Sequence, residues 1–206
     1  MDAPEEVLLR AARDLGLLDL VVLVDAALHL GDVSRASLAD MCRSSRPGVR
    51  RLRVAVGLAD GRSESAWETA LRVFHEFVGV AVEPQANLFD PSGNFVARVD
   101  LLVLGTNFAH EYDGAVHDKR PRRTPDLRRL RRIAEIGIVR RGYTAPDLVV
   151  HPLVTLHELD RVLGRRHRSG RLRRWTTWLG ESCFSESGRR RLQNRWLMHG
   201  QWSRTA

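Results

Sequence analysis

The chain has 206 residues, of which 43% are hydrophobic and 28% charged, and 33 Lys+Arg against 25 Asp+Glu give a formal net charge of +8. That is room for one domain of ordinary size plus an appendage, with enough apolar content for a buried core, and no apolar run reaches the roughly 18 residues of a membrane span. The start MDAPEEVLLR is acidic where a secretory signal is basic, and Cys42 and Cys183 form neither a disulfide framework nor a Cys-x-x-Cys pair, so a cytoplasmic protein is expected.

Helical patterns fill the first third. Val7, Leu8, Ala11 and Ala12 share a face, Leu17 to Leu30 reads as a buried helix, Ser34 caps a short helix over Leu38 to Met41, and Val49 to Leu58 forms another. Gly31 and Pro47-Gly48 punctuate them. Residues 1–60 are thus expected as a helical subdomain without a catalytic constellation.

Residues 61–163 change character. Trp67, Ala70, Leu71, Phe74 and Phe77 or Val78 recur at the helical period and predict a long helix ending at Gly79. Val80 to Phe89 and Phe95 to Leu104, joined by Asp90-Pro91-Ser92-Gly93-Asn94, predict a β-hairpin. A third strand is expected from Asn107 to Asp113, a helix from Arg122 to Ile136, a fourth strand from Ile136 to Tyr143, and a last helix from Ala145 to Leu163. The order predicts an α/β fold, with a mixed sheet of about four strands flanked by helices. Residues 164–206 show no sustained periodicity, yet hold Trp175, Trp178, Trp196 and Trp202 among arginines. Bases stacking on these rings, or rings packed on the domain, are two readings; a poorly ordered extension is the expectation.

Charge is unevenly placed. Residues 1–118 carry 11 basic and 18 acidic residues, whereas residues 119–141 carry 10 and 2, and residues 161–206 carry 12 and 2. The middle block is too one-signed for a merely soluble helix face and points to a nucleic-acid contact. Arginine outnumbers lysine 32 to 1, a ratio expected of a GC-rich genome's codon usage and given little functional weight.

The chemistry concentrates on the second and third strands. Asp100 is the sole carboxylate in FVARVDLLVL, and burying it unpaired costs several kcal/mol, so it needs a cation, a metal or a cap. The pleat puts Arg98 on its face as the structural partner. Glu111 and Asp113 share a face of the next strand, with His117 beyond a glycine turn, whereas His110 points the other way as a structural histidine. Asp100 and Glu111 on adjacent strands suit a divalent cation taking oxygen ligands, and Glu68 on the preceding helix is a third carboxylate. His75, His151 and His157 have no ligand spacing, and His167 and His199 read as part of the basic tail.

Ser65-x-x-Glu68, Gln85, Ala97-Arg98-Val99-Asp100, His110-Glu111-Tyr112-Asp113-Gly114-x-x-His117, Asp126-x-x-Arg129 and Gly137 together resemble the family called domain of unknown function 559, over about residues 60 to 160. That family is related to the very-short-patch-repair endonucleases of the PD-(D/E)XK superfamily. Residues 1–60 resemble the helical linker that follows the winged helix in AbiEi-like, type IV antitoxin-type proteins of actinobacteria. The resemblance implies a restriction-endonuclease-like fold and a metal-dependent endonuclease acting on DNA phosphodiesters. It puts Asp100 and Glu111 in the metal pair, Glu68 as an accessory ligand, and His117 or Asp113 as the group that orients or deprotonates water. Mg2+ or Mn2+ is the implied cofactor, DNA the implied partner, with a toxin or other protein as a further one; oligomeric state stays open. Arg122, Arg123, Arg128, Arg129 and Arg132 would hold the DNA backbone. The alternative is a catalytically inactive DNA-binding or antitoxin-type regulator that keeps the fold. Two departures stand out: Asp113 replaces the superfamily lysine, and Gly142 stands where the family usually has arginine, with Arg140 and Arg141 where apolar residues are usual.

Overall fold

The computed structural model of the protein describes residues 2–114 and 124–202. The chain divides into two compact units, Met1–Thr69 with Arg173–Ala206, and Ala70–Leu172. Among the described residues no helix is long and apolar enough to cross a membrane.

In the first unit α1 (Pro4–Asp14), α2 (Leu17–His29), α3 (Arg35–Arg43) and α4 (Val49–Leu58) follow the expected helical pattern. Ser34 caps α3 as predicted, its hydroxyl accepting the Ser37 N–H at 3.0 Å while its own N–H donates to the Ser37 hydroxyl. The helices bury Leu8, Leu9, Leu18, Leu20, Val21, Val24, Leu38 and Leu52. Asp25, 1% exposed, sits on the inner side of α2. Its carboxylate accepts the N–H groups of Asp60 (2.7 Å) and Gly61 (3.0 Å) and the Thr69 hydroxyl (2.7 Å), so a buried charge organises the loop ahead of the next helix.

That helix, α5 (Ala66–Phe77), begins in the first unit and continues into the second. There β1 (Val82–Phe89) and β2 (Phe95–Val103) form the expected hairpin. At its turn the Asp90 carboxylate accepts the N–H groups of Ser92 (2.9 Å) and Asn94 (2.8 Å). β3 (Phe108–Tyr112), α6 (Thr124–Glu135) and β4 (Val139–Tyr143) complete a four-stranded sheet of order β1-β2-β3-β4. The first two pairings are antiparallel and the third parallel, so the protein is mixed α/β with a mixed sheet. Ile133 of α6 joins Ala86, Leu88, Val96, Ala97, Val99 and Ala109 in one apolar cluster.

Three expectations need correction. The helix predicted from Ala145 to Leu163 is two, α7 (Ala145–Val149) and α8 (Pro152–Val162), because Pro152 has no N–H to continue the first and instead opens the second. The C-terminal region is not an irregular extension. After a 3-10 turn (Ser169–Leu172) it forms α9 (Arg173–Glu181) and α10 (Glu186–Trp202). Trp175, Trp178 and Leu179, spaced for one helix face, are buried in the first unit, where α9 packs on α2. His167 likewise leaves the basic tail: its Nδ1 lies 2.9 Å from the buried Asp160 carboxylate, which also accepts from Arg165 and Arg171. Burial would raise the Asp160 pKa, but these partners hold it below the ordinary range.

Candidate functional site

β3 carries the candidate chemistry because it is paired on both sides and presents alternate residues to opposite faces. Its register with β2 sets Leu101 opposite His110 and Leu102 opposite Ala109. Continuing by one residue sets Asp100 level with Glu111, a register that the sequence left open. The backbone ladder stops there, and the Tyr112 N–H donates instead to the Asp100 carboxylate at 2.8 Å. Gln85 of β1 lies between the pairs Pro84–Leu101 and Ala86–Val99, hence across from Asp100. Its φ of 51° is the one positive value among the described non-glycine residues, a left-handed conformation costing about 1–2 kcal/mol.

Glu111 is 6% exposed. Arg129 of α6 reaches both of its oxygens and donates to the Arg98 carbonyl at 2.7 Å. Arg140 of β4 donates to the other side of the same carboxylate and to Asp113 Oδ1 at 2.5 Å. Burial alone would raise the Glu111 pKa; the hydrogen bonds and charges of Arg129 and Arg140 outweigh it and hold the carboxyl below the usual glutamate range. The glycine at 142 now has a physical account. It lies opposite Glu111 in the β3–β4 register, and a Cβ there would overlap the Asp113 carboxylate. Arg140 lies two residues earlier on the same face as Gly142. Arg140 reaches the acids from there, and Gly142 leaves space for Asp113.

The other face of β3 is solved differently. His110 is fully buried and its Nδ1 lies 2.8 Å from Nε2 of His75, whose Nδ1 lies 2.7 Å from the Leu71 carbonyl. A carbonyl only accepts, so His75 carries its hydrogen on Nδ1 and His110 donates from Nδ1. His110 Nε2 and the buried Tyr143 hydroxyl have no hydrogen-bond partner among the described residues. Burial pushes the His75 pKa down to about 4; burial, with the neighbouring His75 and Arg141, pushes that of His110 down to about 2. Both rings are neutral at pH 7. The structural role expected for His110 holds, while His75 was given no role from sequence because nothing local ties it to a residue 35 positions on.

The remaining predicted site residues fall as follows. Glu68 Oε2 accepts the Glu64 N–H at 2.8 Å while the Glu68 N–H donates to the Ser65 hydroxyl at 3.2 Å, so Ser65-x-x-Glu68 caps α5. Arg129 faces inward onto Glu111, and Arg132 donates to the Phe95 carbonyl at 2.6 Å while its side chain stays at the surface. Arg128 and Arg131 are exposed on α6; Arg131 was not singled out from sequence. His117, Arg122 and Arg123 lie outside the described residues.

The arrangement favours arginine over a metal as the partner of these acids. Among the described residues no three His, Cys, Asp or Glu side chains are grouped to hold a metal ion. The two oxygens of Glu111 already face guanidinium groups. At an effective dielectric of about 20, two unit charges roughly 4 Å apart repel by about 4 kcal/mol, and a divalent ion by about twice that. Mg2+ or Mn2+ shared by Asp100 and Glu111 therefore does not fit while Arg129 and Arg140 hold Glu111. Set against protein-family models, curated proteins and solved structures, the chain matches none.

Proposed function

We propose that the protein binds DNA through the outer surface of α6 and is a catalytically silent regulator with a nuclease-like α/β domain. The observation that carries this reading is the double engagement of Glu111 by Arg129 and Arg140. It gives the strand acids cationic partners from the chain itself and leaves Arg128 and Arg131 outward for phosphate. Support for DNA as ligand comes from the one-signed charge of residues 119–141. The resemblance to the domain 559 and very-short-patch-repair families supplies the nuclease-like description, including the restriction-endonuclease-like fold and the antitoxin-type setting.

The test is a binding titration of a short DNA duplex at several salt concentrations. Wild type binds with affinity that falls as salt rises, Arg128→Ala with Arg131→Ala lowers the salt slope by about two, and Mg2+ or Mn2+ weakens binding only as a competing cation does and leaves the DNA intact. A second reading, metal-dependent hydrolysis at Asp100 and Glu111, is favoured by their level placement where the β2–β3 ladder ends. Nicking that needs Mg2+ or Mn2+ and disappears in Asp100→Ala would replace the silent reading with that one.

A further inference from the structure

The first unit holds a separate concentration of charge. Residues 43–53, RSSRPGVRRLR, contain five arginines and no acid, and they line a concavity of about 680 Å³ between the end of α3 and the start of α4. Arg43 pairs with Asp40 and Arg46 with Glu6, both at the exposed surface, where such pairs contribute little. Arg51 donates to the Ala12 (2.8 Å) and Leu15 carbonyls at the end of α1, and Arg53 to the Cys42 (2.6 Å) and Ser44 (3.1 Å) carbonyls at the end of α3. These carbonyls are neutral, so both charges persist. The Arg50 side chain is exposed and makes no hydrogen bond or ion pair with a described residue. Three cations with no carboxylate partner among the described residues therefore line one concavity. Gly48, at φ 96°, brings the connection close enough to α1 that a Cβ would meet the Leu9 carbonyl at 2.8 Å.

We propose that this concavity is a phosphate-binding site, with Arg50 as the ligand contact that no hydrogen bond or ion pair to a described residue occupies and Arg51 and Arg53 as cations fixed in place by the helix ends they close. Several guanidinium forks around one space suit the multiple oxygens and charge of phosphate better than a single carboxylate. The phosphate comes from a nucleic-acid backbone or from a small free phosphate compound; only the first of these rests on the DNA reading above.

The experiment uses the full chain and two probes, duplex DNA by anisotropy at several salt concentrations and inorganic pyrophosphate by calorimetry. Arg50→Ala and Arg50→Glu are compared with Arg161→Ala, an exposed arginine elsewhere, and with the Arg128 and Arg131 variants. Because the Arg50 side chain is exposed and makes no hydrogen bond or ion pair with a described residue, its variants keep the wild-type melting temperature. Arg50→Ala is expected to weaken the duplex about tenfold and lower the salt slope by about one, with Arg50→Glu weaker still and Arg161→Ala within about twofold of wild type. Loss of duplex binding in the Arg50 variants but not in the α6 variants keeps this site and removes α6 as the DNA surface. Pyrophosphate binding that needs Arg50, without duplex binding, assigns the small phosphate and overturns the DNA reading alone. Unchanged binding of both probes by the Arg50 variants, an equal loss in Arg161→Ala, or binding of neither probe by wild type overturns the proposal.

Discussion

His110 and Glu111 are consecutive residues of β3, both buried, yet the protein accommodates them by opposite means. On one face two imidazoles stay neutral and hydrogen-bond each other; on the other an ionised carboxylate is matched by two arginines. Burial acts in the same sense on both, against charge, and the outcome depends on whether a counter-charge is at hand. His110 has Arg141 as a charged neighbour, which disfavours protonation further. Glu111 has cations that reverse the penalty.

Acid should break the two faces in sequence. The histidine pKa values are depressed in the folded state, so their contribution is intact above the unfolded value near 6.5 and is lost as pH falls below it, at about 1.4 kcal/mol per pH unit for each ring. Between pH 6.5 and 5 urea denaturation should therefore lose roughly 2 kcal/mol per histidine, and a flat profile would contradict the neutral buried pair. Glu111, with a lowered pKa, contributes above the ordinary glutamate value and loses that contribution only at lower pH, as the solution falls through its folded value. The charged face thus outlasts the neutral one.

Glu111→Ala isolates the second face. It leaves Arg129 and Arg140 without their shared partner and should cost about 3 kcal/mol in the same assay, with the His-dependent slope between pH 6.5 and 5 unchanged. The smallest effect sharpens the account of β4. Gly142→Arg alone displaces Asp113 and destabilises, whereas Gly142→Arg with Arg140→Val restores one guanidinium to the acids, and a double-mutant cycle should give a favourable coupling of about 1 kcal/mol. Additive effects would show that Arg140 does not substitute for an arginine at 142.

Local pattern made the elements legible. The bounds of α4 and the β1–β2 hairpin follow from apolar period and turn residues, and the alternation in FAHEY placed His110 and Glu111 on opposite faces. The partners were not legible, since Arg140 meets Glu111 across 29 positions and His75 meets His110 across 35. Arg140 registered only as an oddity in a strand expected to be apolar. The C-terminal helices were obscured because the buried face of α9 shows in the pattern only as Trp175, Trp178 and Leu179, a short signal inside a run of arginines at 171, 173 and 174.

The bond from the Tyr112 amide to the Asp100 carboxylate makes one backbone proton a spectroscopic witness. Its chemical shift and its exchange with deuterium follow the charge and position of a single side chain. A titration with DNA or with a divalent ion that engages Asp100 should move this amide resonance first, while the amides of Leu101 and Leu102, within the regular ladder, stay still.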